Sequence, residues 1–134
     1  MGDTGMDRAT LEDLTIRFTE AFNRDDLDAV MAFMADDAVW DELNGSVNSG
    51  KAAIRAAFVP QFRGDFGKVR FHSEDLFVDP ATGKTLIRWR CTLETRRGPA
   101  AWRGLDILRF ENGLLKEKLT YGKAKVPLLK GSER

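Results

Sequence analysis

The sequence has very few of the residues that build disulfides and metal sites. Its 134 residues include one cysteine, Cys91, and one histidine, His72. A single cysteine cannot form an internal disulfide, and one cysteine with one histidine cannot supply the ligands of a structural zinc site. We therefore predict a protein that needs no metal and no other cofactor.

The sequence also lacks net charge and long apolar runs. Its 21 basic and 21 acidic residues give a formal net charge of zero, so the electrostatic signature of a nucleic-acid-binding or membrane-surface protein is missing. No stretch approaches the roughly 18 apolar residues of a membrane span, and the first residues lack the apolar centre of a signal peptide. These features predict a soluble, cytoplasmic protein with no nucleic-acid or membrane partner.

What the sequence does contain is enough apolar side chain for one core. Apolar residues make up 43% of the chain, and a chain of this length is too short for two independent cores. We predict a flexible N-terminus over residues 1–9, a single domain over residues 10–129 and a C-terminal tail over residues 130–134.

The first half of the chain has helical periodicity. A helix is predicted after Thr10, with apolar residues at three- and four-residue spacings, and a second helix is predicted after Asp26 as its N-cap. A third helix is predicted over 51–62, where Ile54 and Phe58 are four apart. The alternation over 38–43 predicts a short strand between the second and third helices.

The second half reads as strands over 69–79, 85–95, 101–111 and 114–121. The connections are short and rich in glycine and proline, which predicts an antiparallel meander. Helices followed by such strands are typical of an α+β fold in which the helices cover one sheet face. A strongly curved sheet wrapped on helices would enclose a pocket.

Alternation assigns the strand faces. The odd positions of 85–95 are apolar and predict an inward face of Ile87, Trp89, Cys91 and Leu93. Both parities of 101–111 carry apolar residues, since Leu105 and Ile107 lie opposite the face of Asp106. This second apolar face predicts a homodimer, or else a C-terminal tail that covers it.

Two carboxyl groups draw attention within these strands. Asp106 shares its face with Trp102, Leu108 and Phe110, so it needs a partner or a raised pKa. Glu42 shares the face of Trp40. We predict that both carboxyls look into one cavity.

Three segments resemble the nuclear transport factor 2-like superfamily, in its SnoaL-like and ketosteroid-isomerase-like branch. They are residues 22–28 continuing to 34–42, residues 49–55, and residues 105–113. The resemblance implies a cone-shaped α+β barrel in which three N-terminal helices pack on a strongly curved, mainly antiparallel sheet. It also implies a dimer whose apolar interior binds a cyclic small molecule.

The same resemblance implies residue roles. Glu42 falls on the general base of the ketosteroid isomerases, and Asp106 falls on the carboxylic acid that they keep protonated as a hydrogen-bond donor. Phe18 stands where they carry an oxyanion-hole tyrosine, and Tyr121 or His72 is left as a possible replacement. The expected pocket residues are Phe18, Trp40, Phe58, Trp89, Trp102, Leu108 and Tyr121.

Two function classes remain open at this point. One is a cofactor-free acid–base enzyme of isomerase, cyclase or lyase type, with Glu42 and Asp106 as catalytic residues. The other is a non-catalytic ligand-binding or protein-interaction module of the same fold. Under that second reading, Glu42 would pair with Lys51 or Arg55, and Asp106 would form a buried ion pair with an arginine.

Overall fold

The computed structural model describes residues 6–123, with three helices ahead of most of the strands. The α+β class is confirmed. The elements in chain order are α1 (Arg8–Asn23), α2 (Leu27–Ala32), β1 (Met34–Asp41), β2 (Val47–Ser49), α3 (Lys51–Phe62), β3 (Arg70–Asp79), β4 (Lys84–Thr95), β5 (Gly98–Glu111) and β6 (Leu114–Gly122).

The strands form one open, curved sheet in the order β2-β1-β6-β5-β4-β3. The last four strands are the predicted antiparallel meander. β1 runs parallel to β6 and antiparallel to β2, a short edge strand that the sequence pattern did not predict. This arrangement confirms the cone-like architecture, with α1 packed on β3 and β4 and α3 packed on β1.

Helix starts follow local capping. Asp26 caps α2 as predicted, since its Oδ1 accepts a hydrogen bond from the Ala29 backbone N–H at 3.0 Å. α1 begins earlier than predicted, because Asp7 rather than Thr10 is its N-cap: Asp7 Oδ1 accepts from the Thr10 N–H at 2.8 Å. Met6 packs into the core ahead of this cap.

The predicted domain end near residue 129 and the tail over 130–134 lie outside the described residues. The possibility that the tail covers Leu105 and Ile107 falls there too. Within residues 6–123 both side chains remain partly exposed, so the described chain does not close this outer face. In that same part of the chain, no helix is long and apolar enough to cross a membrane.

The inner face of the sheet carries the core. Burial alternates along β4 as predicted, and Asp106 lies inward with Leu108 and Phe110. The helices supply Phe18 and Phe58, which are among the largest fully buried side chains. Aromatic rings therefore fill much of the space between sheet and helices.

A β-bulge sets the inner face of β6. Leu108 pairs in register with Lys118, but Phe110 pairs with Leu115, so Lys116 is an extra residue on β6. An extra residue reverses the side-chain alternation beyond it. As a result Lys118 is buried, whereas Tyr121 lies outward and 55% exposed. The expectation that Tyr121 lines the pocket does not hold for this reason.

Gly104 makes room for a buried indole. It lies directly opposite Trp89 in the β4–β5 register. A Cβ at Gly104 would lie 2.5 Å from Trp89 Cη2 and 2.5 Å from the Tyr121 carbonyl oxygen. The missing side chain therefore lets the Trp89 ring lie against β5.

We expect Gly104→Ala to destabilise the protein by about 1–3 kcal/mol, since overpacking of this kind displaces a buried ring or backbone. The measurement is chemical denaturation. The matched control is Gly122→Ala, because Gly122 pairs with Gly104 across the strands. Its added Cβ would make only ordinary contact with Leu43, at 3.6 Å. Equal stability of the two variants would contradict this account of Gly104.

Candidate functional site

A cavity of about 270 Å³ opens between α3, the inner face of the sheet and the turn after β1. Its walls are mainly aromatic and include Phe22, Trp40, Phe58, Phe71, Trp89 and Trp102. The polar side chains on its surface are Glu42, Asn44, Gln61, Lys118 and Thr120. An apolar enclosure with a few polar groups is the usual form of a small-molecule site.

A buried ion pair lies at the inner end of this cavity. Lys118 Nζ donates to Asp106 Oδ1 at 2.9 Å, and both side chains are at most 10% exposed. Trp89 Nε1 donates to the other carboxyl oxygen, Oδ2, at 3.0 Å. Each oxygen of Asp106 therefore has a donor, as a buried carboxylate requires.

The hydroxyl of Thr120 completes the network. It accepts from Trp40 Nε1 and from Lys118 Nζ, both at 2.9 Å. A hydroxyl has two acceptor positions and one hydrogen. With both acceptor positions filled, its hydrogen goes to Asp106 Oδ1, at 2.6 Å.

This network gives Asp106 three contacts, with Lys118 Nζ, Trp89 Nε1 and the Thr120 hydroxyl. The ion-pair alternative fits, although the partner is Lys118 rather than an arginine. Asp106 also lies behind the main cavity, on a recess of about 20 Å³, which accommodates about one water molecule.

Lys118 is the polar group that faces the cavity from its inner end. Two of the three N–H donors of its ammonium group are used by Asp106 and Thr120. The nitrogen lies 4.9 Å from the centroid of Trp40 and 5.9 Å from that of Phe58. These distances allow cation–π attraction. Within residues 6–123 these two hydrogen bonds leave one N–H donor for the cavity that Lys118 lines.

Glu42 lies at the outer part of the cavity, just after β1. Its Oε2 accepts from Asn48 Nδ2 at 2.8 Å, and the side chain is partly exposed. Within residues 6–123 Glu42 forms the alternative ion pair with neither Lys51 nor Arg55, and Arg55 instead binds Asp28 at 2.6 Å. Glu42 thus keeps an oxygen for other contacts within the cavity wall.

The expected pocket residues divide into two groups. Trp40, Phe58, Trp89 and Trp102 line the main cavity. Phe18 and Leu108 line the small recess with Asp106 instead. Phe18 packs edge-to-face on Phe22 at 5.1 Å, so its ring fills the core.

Sequence reasoning missed Lys118 and Thr120. Alternation from Leu115 predicts that Leu119 and Tyr121 face inward, and the bulge at Lys116 overturns that pattern. The sequence did show that apolar Leu119 and Tyr121 alternate with polar Lys118 and Thr120. Deciding which pair faces inward requires the position of the extra residue in β6.

The two rare residues have distinct positions. His72 lies exposed on the outer face, with its Nε2 3.0 Å from the Thr92 hydroxyl, so it does not replace the family tyrosine. Cys91 is buried on the cavity wall. Burial, and secondarily the charge of Asp106, raises the pKa of its thiol to about 11. A thiol of this kind is a poor nucleophile.

Metal-binding side chains are not clustered in the part of the chain that the structure describes: there, no group of three or more His, Cys, Asp or Glu side chains could hold an ion.

Comparison with known families decides the relationship. A family described as SnoaL-like domain matches residues 15–118. The chain belongs to this family. This match confirms the resemblance of the sequence to SnoaL-like proteins of the nuclear transport factor 2-like superfamily. A comparison with curated proteins found no match.

Solved structures share the SnoaL-like fold at low sequence identity. A proposed polyketide cyclase from Xanthomonas campestris pv. campestris is 22% identical, with 85% of this chain and 90% of that chain covered and a TM-score of 0.75. A nuclear transport factor 2-like protein of unknown function from Mesorhizobium loti is 23% identical, with coverages of 89% and 96% and a TM-score of 0.73. AusH from Aspergillus nidulans is 13% identical, with coverages of 90% and 88% and a TM-score of 0.77.

The raised thiol pKa of this SnoaL-like protein gives a prediction at high pH. In the unfolded chain the thiol ionises near its ordinary pKa of 9.0, whereas in the folded chain it stays protonated until about 11. The stability that Cys91 contributes is therefore complete below about pH 9 and is lost as pH rises toward 11.

Denaturation of the natural sequence and of Cys91→Ala over this pH range isolates the contribution of the thiol. Above pH 9 the free energy of unfolding of the natural sequence should fall relative to that of Cys91→Ala. Alkylation of the folded protein should be on the order of a hundredfold slower than that of the unfolded chain, from thiolate population alone. Equal alkylation rates in the two states would contradict the assignment.

Proposed function

We propose that this SnoaL-like protein binds an apolar cyclic carbonyl compound and moves a proton next to its carbonyl group without a cofactor. The observation that carries the proposal is a carboxylate, Glu42, and a fixed ammonium group, Lys118, on the surface of one aromatic cavity. Enolisation requires a base that reaches the carbon beside the carbonyl and a hydrogen-bond donor that reaches the carbonyl oxygen.

The proton transfer would proceed in one balanced step. Glu42 accepts a proton from the carbon beside the carbonyl, and the electron pair of that C–H bond forms a carbon–carbon double bond. The carbonyl π electrons move to oxygen, and the third N–H of Lys118 holds the resulting enolate. Glu42 then returns the proton to another carbon for isomerisation. For cyclisation, the enolate carbon instead attacks a second carbonyl, whose π electrons move to its oxygen, and that oxygen takes the proton from Glu42.

Asp106 acts in this proposal as a positioning residue. Its carboxylate holds the Lys118 ammonium at 2.9 Å, and the Trp89 indole fixes that carboxylate. Lys118 thereby takes the oxygen-binding role that the sequence resemblance implied for Asp106. The absent hydroxyl at Phe18 is then no obstacle, because the oxygen is held by an ammonium group instead.

The relatives support a catalytic reading over a purely structural one. One neighbour with the same fold is a proposed polyketide cyclase, and cyclisation of a polyketide proceeds through an enolate. The alternative is a ligand-binding module without turnover. That alternative would keep the cavity but would need no base at Glu42.

The test follows hydrogen exchange beside the carbonyl. A panel of cyclic ketones with one to four rings is incubated with the protein in D₂O, and loss of the α-hydrogen signal is followed by NMR. Glu42→Gln should slow exchange by about 10²–10⁴-fold, the usual contribution of a general base. Ligand binding should persist, because the variant keeps the shape of the side chain.

A carboxylate on the other side of the sheet supplies the control. Glu117 lies near Arg109, at 3.8 Å, and Glu117→Gln should leave exchange unchanged. Exchange that survives in Glu42→Gln would remove Glu42 as the base. Binding of a ketone with no exchange in the natural sequence would favour the ligand-binding module.

We further propose that the outer face of the sheet forms a homodimer interface. Support comes from a row of apolar residues that are register partners across the last four strands, Phe77, Leu86, Ile107 and Leu119. Phe77 is 60% exposed in the single chain. Exposed apolar rows of this length are typical of protein interfaces.

Light scattering at micromolar concentration should give the mass of a dimer. Ile107→Glu should shift the mass toward that of the monomer, since it buries a charge at the centre of the row. Ile16→Glu is the control, because Ile16 is also an exposed isoleucine, at 45%, but belongs to α1. A monomeric mass for the natural sequence would end the dimer proposal.

A further inference from the structure

The polar groups of the cavity lie at its two ends. Lys118 and Thr120 are only 6% and 8% exposed and form the inner end. Glu42 and Gln61 are partly exposed. Trp102, 38% exposed, lies toward the opening with them. A ligand must therefore enter with its hydrogen-bonding atom first if that atom is to reach Lys118.

The walls between these ends are flat. Trp40 and Phe58 stack with their centroids 4.2 Å apart and their planes 21° apart. Phe71 meets Trp89 edge-to-face at 5.0 Å. Where these rings line the cavity, they can contact a planar ligand by stacking or edge-to-face packing.

The volume of the cavity limits the ring count. An engineered protein cavity of about 150 Å³ holds one benzene molecule, or about 25 Å³ for each ring carbon. At that packing the 270 Å³ of this cavity hold about ten or eleven ring carbons. This number matches two fused six-membered rings, whereas four fused rings would extend through the opening.

The charges favour a neutral ligand. The ammonium of Lys118 is already balanced by Asp106 at 2.9 Å, and Glu42 adds a further carboxylate to the cavity surface. An anionic ligand would enter against this excess of negative charge. A neutral carbonyl oxygen can accept the third Lys118 N–H without that penalty.

We infer that the ligand is a neutral ketone of one or two fused rings, with its oxygen at Lys118, and that four-ring compounds such as steroids bind more weakly because their outer rings extend through the opening. This inference rests on the cavity of the proposed function and adds its substrate class. The inferred ligand is therefore smaller than the steroids that the ketosteroid-isomerase resemblance would suggest.

The experiment compares ligands by quenching of tryptophan fluorescence, since all three tryptophans of the chain line the cavity. The probes are 2-tetralone, its hydrocarbon parent tetralin, a tetralin carboxylate, and a four-ring steroid ketone. We expect 2-tetralone to bind at least about tenfold more tightly than tetralin, because a hydrogen bond to a charged donor contributes this much. The carboxylate and the steroid should bind more weakly than 2-tetralone.

Variants test the role of the ammonium group. Lys118→Met alone would leave Asp106 buried without its partner and endanger folding, so the variant of choice combines Lys118→Met with Asp106→Asn. In this double variant the preference for 2-tetralone over tetralin should disappear while tetralin still binds. Lys116→Met is the control, because Lys116 pairs with Asp37 at 2.6 Å away from the cavity, and it should retain the preference.

The outcomes separate this inference from the proposed function. Equal binding of ketone and hydrocarbon in the natural sequence, or steroid binding as tight as that of 2-tetralone, would overturn the inference. Preferential binding of 2-tetralone without α-hydrogen exchange would leave the inference standing and overturn the catalytic proposal. A preference that persists in the double variant would remove Lys118 as the group that selects the oxygen.

Discussion

The ion pair between Asp106 and Lys118 is the interaction on which the rest of the site depends. A charged pair in an aromatic interior persists only if almost every donor and acceptor around it is satisfied. Here Trp89 and Thr120 donate further hydrogen bonds to the carboxyl oxygens of Asp106. Trp40 in turn donates a hydrogen bond to the Thr120 hydroxyl. Strands β1, β4, β5 and β6 are thereby joined through one polar cluster, which holds the cavity walls and the ammonium group in a fixed relation.

Much of the fold could be predicted from the sequence because its signals are local. The strict alternation of β4 identified the inner face correctly, and the Asp26 cap located the second helix. The carboxyl of Asp106 was also expected among apolar neighbours, since it shares its face of β5 with Leu108 and Phe110. Each of these inferences needed only the side-chain alternation within one strand or the capping residue of one helix.

The site was harder to predict because it depends on a non-local irregularity. The extra residue at Lys116 has meaning only relative to the register of β5, and no pattern within β6 alone reveals it. Because the sequence analysis did not include this extra residue, it predicted Tyr121 as a pocket residue and omitted Lys118 and Thr120. The resemblance to ketosteroid isomerases had the same limit, because it drew attention to Asp106 but not to Lys118, which lies 2.9 Å from its carboxyl group.

The bulge in β6 carries a wider consequence for how such a scaffold acquires new chemistry. In a regular strand, a change of the lining requires a separate substitution at each inward position. A single-residue insertion or deletion in the hairpin that joins β5 to β6 would instead exchange the whole inward set at once, removing an ammonium and a hydroxyl and presenting a phenol and a leucine. The same length change would leave the buried Asp106 carboxyl without its ammonium partner, so a scaffold that takes this route must also replace the residue at position 106.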